Sequence, residues 1–212
     1  MAKNESLLIA ASCFWSDALN AFLFGHGPMT PTLADVVMLT GLDISSSNNT
    51  FRANVPSFNL KTKEPRGWTG YIINHMKKGS VQSREHVAFL NMWLDKFILC
   101  GKTVGPTANY QSMAELLDAG TKFSLGKHLL GVVYDLLHQV AINLSKGQLV
   151  KNIGGPWWFI NLWLNLHFRD ILNQNIYNSV FPKDQTDEEE LETRRCLNFG
   201  EAGSIFPGSK KD

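Results

Sequence analysis

The segment LGKHLLGVVYDLLHQVAINLS, residues 125–145, decides the fold class of this chain. Its apolar residues recur at steps of three and four, which places them on one face of a helix. This stripe consists of Leu125, Leu129, Val132, Val133, Leu136 and Val140. Gly147 follows the pattern and is a suitable residue for ending a helix. We therefore predict an amphipathic helix over residues 125–145 that packs one side against a core.

Further helices are predicted on both sides of this segment. Their ranges are 32–40, 68–78, 84–100, 110–120 and 156–172, with a short helix within residues 1–13. The helix over 156–172 is apolar on nearly every side, which predicts a central buried position. In the helix over 84–100, one inward face is expected to carry Val87, Leu90, Leu94, Phe97 and Ile98.

Residues that start and stop helices support these ranges. Thr30 is the expected N-cap of the helix over 32–40, with Pro31 at the first helical position and Gly41 after the end. Ser83 is the expected N-cap of the helix over 84–100. Residues 43–66 contain polar and proline-rich stretches, which indicate a long surface loop.

The fold class predicted from these patterns is mainly α. We expect a compact bundle of about six helices and one short β-hairpin near residues 19–30, where imperfect alternation precedes the turn-forming Gly25-His26-Gly27-Pro28. Residues 1–182 would form one helical domain. Residues 183–212 begin with a charged run and are expected to form a partly flexible C-terminal segment.

Composition limits the possible functions. Among 212 residues, 44% are hydrophobic and 18% are charged, which is typical of a globular protein. The 20 basic and 19 acidic residues nearly balance, which argues against a dedicated nucleic-acid binder. The apolar run from Leu7 to Ala11 is too short to span a membrane. Three widely spaced cysteines indicate a reducing compartment, either cytosol or nucleus.

The sequence lacks the motifs of familiar active sites. Neither GxSxG, GxGxxG, GxxxxGK[ST] nor HExxH occurs, and no cysteine pair has zinc-finger spacing. If the chain is an enzyme of unrecognised type, the candidate active-site cluster is His128, Asp135 and His138. We predict no enzyme activity, no cofactor and no metal site.

Two groups of residues are candidates for binding a partner. Lys61, Lys63 and Arg66 lie close to Trp68, and such a basic and aromatic group can meet phosphates or an acidic partner. The alternative is an ordinary exposed loop. The second group is Trp157-Trp158, where one ring could be an exposed anchor, the alternative being that both rings belong to the core.

Four stretches of the sequence resemble the plant mobile domain family. The first contains Phe14-Trp15 and then MTPTLADVVMLTGL at residues 29–42, close to the family signature MTPTLxDVxxLxGL. The other three are residues 83–98, Leu125-Gly126 with the helix that follows, and residues 154–164. They occur in the family's order over residues 8–172. The sequence departs from the pattern at His26, in a turn where relatives often carry Pro-Cys-Gly-Glu, so a site that uses this cysteine is excluded.

The resemblance implies a domain of plant transposable elements and of host proteins derived from them. It implies a nuclear role in transposable-element silencing or transcription regulation, and a protein partner such as a phosphatase-like protein or a second plant mobile domain. The label "aminotransferase-like" attached to the family has no support in motifs for a Schiff-base lysine or a phosphate cup. We expect a non-catalytic protein–protein interaction module. The alternative is a nucleic-acid-binding module of a transposon-derived protein.

Overall fold

A computed structural model describes residues 5–46, 58–63, 66–76, 79–103, 105–148 and 153–168. Within these residues there are seven α-helices and one three-stranded sheet, so the mainly-α prediction is confirmed. The helices are α1 (Glu5–Ser12), α2 (Leu33–Thr40), α3 (Gly67–His75), α4 (Ser83–Met92), α5 (Gln111–Asp118), α6 (Leu125–Ser145) and α7 (Trp157–His167). The strands are β1 (Trp15–Ser16), β2 (Ala21–Phe24) and β3 (Gly27–Met29).

The described residues divide into two compact units. The first unit contains the described residues 5–39, 133–148 and 157–168. The second unit contains the described residues between 40 and 132 and residues 153–156. Helix α6 therefore contributes residues to both. The predicted segment 183–212 lies outside the described residues.

The antiparallel sheet belongs to the first unit and has the order β1-β2-β3. The predicted hairpin is β2 and β3, in which Phe24 pairs with Gly27 across a two-residue turn. Strand β1 was not predicted, since two residues are too few to show an alternating pattern. It pairs with the other edge of β2, with Trp15 opposite Phe22.

Helix α7 packs against the aromatic side chains of the sheet. The rings of Phe22 and Trp163 stack with centroids 5.6 Å apart, and Phe24 meets Phe168 edge to face at 4.9 Å. Trp163 is only 1% exposed. The predicted buried helix is thus found in the core of the first unit, and residues 169–172 of its predicted range lie outside the described residues.

The start of α2 differs from the prediction. The backbone N–H of Asp35 donates to Thr32 Oγ1 at 3.3 Å, and the backbone N–H of Thr32 donates to Asp35 Oδ2 at 2.7 Å. Thr32, not Thr30, therefore caps the helix in a reciprocal capping arrangement. Thr30 Oγ1 instead donates to the carbonyl oxygen of Asn20 at 2.7 Å. Gly41 has the predicted left-handed conformation, with φ of +68°.

Helix α4 does not continue to residue 100 as an α-helix. Residues Trp93–Ile98 form a π-helical segment, in which the N–H of Leu99 donates to the carbonyl of Leu94 at 2.8 Å. This wider turn rotates the following residues, so Phe97 is 53% exposed whereas Leu99 is 1% exposed. The prediction that Phe97 faces inward was wrong. The prediction of Ser83 as N-cap was also wrong, because Gln82 occupies that position.

Helix α6 has the predicted bounds, and its apolar stripe is buried except for the half-buried Val132. In the second unit, α3, α4 and α5 enclose a core whose buried members include Tyr71, Val87, Leu94 and Ala114. No helix in the described ranges has the length and apolar character needed to cross a lipid bilayer.

Candidate partner-binding site

Helix α3 has an inner side that belongs to the core of the second unit. Tyr71 is 1% exposed and His75 is 8% exposed. The half-buried Trp68 packs against the same core, and its ring meets Tyr71 edge to face at 5.4 Å. These three residues recur at steps of three and four, so one row of side chains anchors the helix.

A second side of α3 carries apolar residues that face solvent. Ile72 is 41% exposed, Ile73 is 52% exposed and Met76, directly after the helix, is 63% exposed. Met76 is four residues from Ile72 and three from Ile73, so the three side chains neighbour one another. We call these residues the outer face of α3. Because exposed apolar side chains that neighbour one another can mark an interaction site, this face is a candidate surface for another molecule.

Three cations precede this helix in the sequence. Lys61, Lys63 and Arg66 are exposed, as the sequence predicted for a surface loop, and none of them has an ion-pair partner within the described part of the chain. Trp68, the aromatic member of this predicted group, contributes to packing. The structure thus separates the group into exposed cations and an aromatic ring that supports the core.

A cavity of about 280 Å³ lies between the end of α3 and the start of α4. Among the described residues, its lining is polar and comprises Lys61, Asn74, His75, Gln82, Arg84 and Glu85. Arg84 donates from Nη2 to the carbonyl oxygen of Asn59 at 3.0 Å, which holds the guanidinium in place. We call this cavity the Lys61/Arg84 pocket. Sequence reasoning found Lys61 but missed Arg84 and Glu85, which lie more than twenty residues further along the chain.

A buried polar cluster in the second unit was not predicted either. Asp95 is 2% exposed and accepts a hydrogen bond from Thr107 Oγ1 at 2.6 Å. Asn91, which is fully buried, donates from Nδ2 to the carbonyl oxygen of Thr107 at 2.7 Å. Burial raises the pKa of Asp95, and hydrogen bonds from Thr107 and Gly101 offset this only in part. A carboxyl with a raised pKa can indicate an active site, but a side chain this buried has no access to a substrate.

A serine, a histidine and an aspartate also meet at the surface of the second unit. Asp118 accepts a hydrogen bond from Ser83 Oγ, and its Oδ1 lies 2.7 Å from His86 Nδ1. Both hydrogen bonds lower the pKa of Asp118, and the bond from Ser83 has the larger effect. In a catalytic triad the serine hydroxyl would bond to the imidazole. Here both groups bond to the carboxylate, so the arrangement ties α4 to α5 without activating the hydroxyl.

The remaining sequence candidates have separate surroundings. His128 is half-buried, and burial lowers its pKa. Asp135 accepts a hydrogen bond from Gln139 at 2.5 Å, whereas His138 Nδ1 lies 3.2 Å from Asp17 Oδ1. The residues nominated as an active-site cluster therefore do not form one functional group. Within the described ranges, no three His, Cys, Asp or Glu side chains are placed to hold a metal ion.

The two candidate tryptophans of α7 lie in the first unit. Trp157 is 8% exposed and belongs to the core. Trp158 is half-buried, and its ring meets Phe159 edge to face at 5.9 Å. Trp158 thus presents a smaller apolar surface than the outer face of α3 does.

Comparison with protein families gives one result, and it covers all of these elements. The family model described as "Plant mobile domain" matches residues 1–203. The chain belongs to the plant mobile domain family. The match includes all four stretches that resemble the family and extends past them. Comparison with curated proteins gave no match, and neither did comparison with solved structures.

One of the four stretches that resemble the family has a clear structural explanation. In Gly154-Gly155-Pro156-Trp157, Gly154 lies against the backbone of Lys102, and a Cβ at Gly154 would come within 2.7 Å of the Lys102 nitrogen. Gly155 has φ of +147°, a conformation that other residues rarely adopt. The motif therefore requires its two glycines for different reasons, namely a close backbone approach and an unusual backbone angle.

Proposed function

We propose that this plant mobile domain is a non-catalytic protein–protein interaction module that acts in the nucleus, in transposable-element silencing or transcription regulation. The observation that carries the proposal is the outer face of α3, where Ile72, Ile73 and Met76 expose apolar side chains on a helix whose other side is in the core. Covering such a face with a protein partner would remove apolar surface from water, the main driving force for association.

The potential catalytic groups support a non-catalytic role. Asp95 is buried in a hydrogen-bonded cluster, and Ser83 donates to a carboxylate instead of an imidazole. The family resemblance suggests a phosphatase-like protein or a second plant mobile domain as the partner.

The exposed cations favour a second candidate function, nucleic-acid binding. Lys61, Lys63 and Arg66 could neutralise phosphates, and the affinity would then fall steeply with salt. Changing all three to Glu should abolish binding to DNA or RNA under this alternative. If binding to nucleic acid were unchanged in that variant, these cations would not be its binding surface.

A matched pair of methionine variants tests the proposed function. Met76→Glu places a charge on the outer face of α3, whereas Met38→Glu makes the same change at a residue of the first unit that is 73% exposed. Tagged wild-type protein and both variants are purified from plant nuclei, with nuclease treatment of half of each sample. We expect a protein that survives nuclease and is retained by wild type and Met38→Glu but lost by Met76→Glu. Equal retention by the two variants, or partners that vanish with nuclease, would contradict the proposal.

A further inference from the structure

An exposed serine lies in the connection between α3 and α4. Ser80 makes no hydrogen bond with another described residue, and the next residue, Val81, is 70% exposed. The backbone is extended at both ends of this connection, with ψ of 125° at Met76, directly after α3, and 156° at Gln82, directly before α4. The hydroxyl of Ser80 is therefore accessible to another protein on a segment that belongs to neither helix.

Gly79 allows this segment to change its shape. Its φ of +115° produces a bend directly before Ser80, and a Cβ at this position would meet nothing within 4 Å. Glycine adopts positive and negative φ about equally readily, and the space around Gly79 is open. The segment can therefore straighten in the cleft of an enzyme, as exposed loops do in the clefts of proteases.

Two lysines distinguish Ser80 from the other hydroxyl residues of the chain. Lys77 and Lys78 precede Ser80 by three and two residues, and no other serine or threonine in the sequence has a basic residue at both positions. The two lysines lie outside the described residues, and their place in the sequence is what an enzyme would recognise. Protein kinases select substrates by the charge pattern around the acceptor hydroxyl. Acidic side chains in a kinase cleft can pair with cations at these two positions.

A second hydroxyl residue provides a comparison within the same unit. Thr69 is exposed and has Arg66 three residues before it, but it lies inside α3. The backbone N–H and C=O groups of a helix are bonded to one another, so an extended cleft can accept Thr69 only after the helix unfolds. Ser80 therefore has both the more complete basic pattern and the more accessible backbone.

We propose that Ser80 is a phosphorylation site for a protein kinase that selects basic residues two and three positions before the acceptor. The co-substrate is ATP. The hydroxyl oxygen of Ser80 forms a bond to the γ-phosphorus, the bond from that phosphorus to the bridging oxygen of the β-phosphate breaks, and ADP leaves. The hydroxyl proton passes to the aspartate base of the kinase. This inference goes beyond the proposed function and does not depend on it.

Phosphorylation would change the charge of the connection. Residues 77–81 carry two positive charges, those of the lysines, and a phosphoserine contributes about −1.5 to −2 at pH 7. The modification therefore cancels most or all of the positive charge of this stretch. Its attraction for an acidic or phosphate-bearing molecule falls as a result.

Phosphorylation of the purified full chain tests the inference. The chain is incubated with ATP, Mg²⁺ and the catalytic subunit of a cyclic-AMP-dependent protein kinase, which belongs to this class, and the modified residues are identified by mass spectrometry. We expect phosphate at Ser80 and none at Thr69. Ser80→Ala should lose most of the incorporated phosphate, whereas Ser80→Thr, which keeps a hydroxyl, should retain it.

Lysine variants assign the selection to the basic pair. Lys77→Ala combined with Lys78→Ala should lower kcat/KM for phosphorylation of Ser80 by about tenfold or more. Lys77→Arg combined with Lys78→Arg keeps both charges and should keep the rate. Lys127→Ala is the matched control, because Lys127 is also exposed but lies far from Ser80 in the sequence.

A measurement on plant tissue completes the test. The chain isolated in the presence of phosphatase inhibitors should contain the Ser80 phosphopeptide. Three results would each overturn the inference: phosphorylation of Thr69 as fast as that of Ser80, equal losses of rate from Lys127→Ala and from the double alanine variant, and a Ser80 that carries no phosphate in tissue. None of them bears on the proposed function, which the methionine variants test.

Discussion

Thr107 donates a hydrogen bond from Oγ1 to Oδ2 of Asp95 at 2.6 Å in the interior of the second unit. Asp95 follows Asn91 by one helical turn at the junction of α4 and its π-helical segment. A buried carboxyl at this position makes the stability of the unit depend on pH, because burial favours the protonated form.

The first prediction concerns the direction of that dependence. The pKa of Asp95 is raised above the ordinary 3.8 in the folded chain, so the folded state holds the proton more tightly than the unfolded state. The free energy of unfolding should therefore fall as pH rises from about 4 through the raised pKa. Urea unfolding at a series of pH values should show this fall in wild type and a flatter profile in Asp95→Asn. Asp135→Asn, at an exposed position, is the control and should leave the pH profile unchanged. If the unfolding free energy of Asp95→Asn fell with pH as steeply as that of wild type, this assignment would be refuted.

The second prediction compares two glycines. At Gly154 a Cβ would clash with the backbone of Lys102, whereas at Gly131, inside α6, it would meet nothing within 4 Å. Gly154→Ala should lower the free energy of unfolding by about 1–3 kcal/mol. Gly131→Ala should raise it by about 0.5–1 kcal/mol through helix propensity and reduced freedom of the unfolded chain. Chemical denaturation of both variants measures the difference, and effects of the same sign would contradict the prediction.

The third prediction concerns the core of the first unit. Trp163 is 1% exposed and stacks on Phe22, so Trp163→Ala should cost about 3–5 kcal/mol. Trp158→Ala should cost less, because Trp158 is half-buried. Thermal unfolding of the two variants provides the measurement. A melting temperature that Trp163→Ala leaves unchanged would be incompatible with the position of α7 against the sheet.

The fourth prediction concerns the start of α2. Burial raises the pKa of Asp35, but hydrogen bonds, those from the Thr32 hydroxyl and backbone first, together with the nearby Trp163 and His167, lower it by more, so the result is a lowered pKa. Thr32→Ala removes the hydroxyl and should cost about 1 kcal/mol of stability through loss of the cap. The pKa of Asp35 should rise in this variant, as NMR titration would show. If the pKa stayed the same while stability fell, the capping contact would not be what holds that carboxylate.

Long periodic segments made much of this fold predictable. The bounds of α6 follow from a stripe that runs from Leu125 to Val140, and Gly41 and Gly147 adopt the left-handed conformations expected after helix ends. The cap of α2 was assigned to the wrong threonine because Thr30 and Thr32 both flank Pro31 with suitable hydroxyls. The π-helical segment escaped prediction, since the pattern of apolar residues was extended at 3.6 residues per turn into a region with a wider turn.

The candidate site was predictable only in part. Exposure of Lys61, Lys63 and Arg66 follows from their polar and proline-rich surroundings. The outer face of α3 was not found, because Ile72 and Ile73 have the composition of core residues and only tertiary packing shows which side of the helix is covered. Arg84 joins Lys61 in the lining of the pocket because its side chain donates to the carbonyl oxygen of Asn59, a contact that the spacing of residues in the sequence does not reveal.

The most direct test of the central claim is site-specific photocrosslinking in plant nuclei. A photoreactive phenylalanine analogue is placed at Ile73 on the outer face of α3, and in a second preparation at Met38, which is also exposed but lies in the first unit. The account predicts that one protein is crosslinked repeatedly from Ile73 and not from Met38, and that nuclease leaves the product intact. Crosslinks from Met38 alone, or from Ile73 to nucleic acid alone, would contradict it.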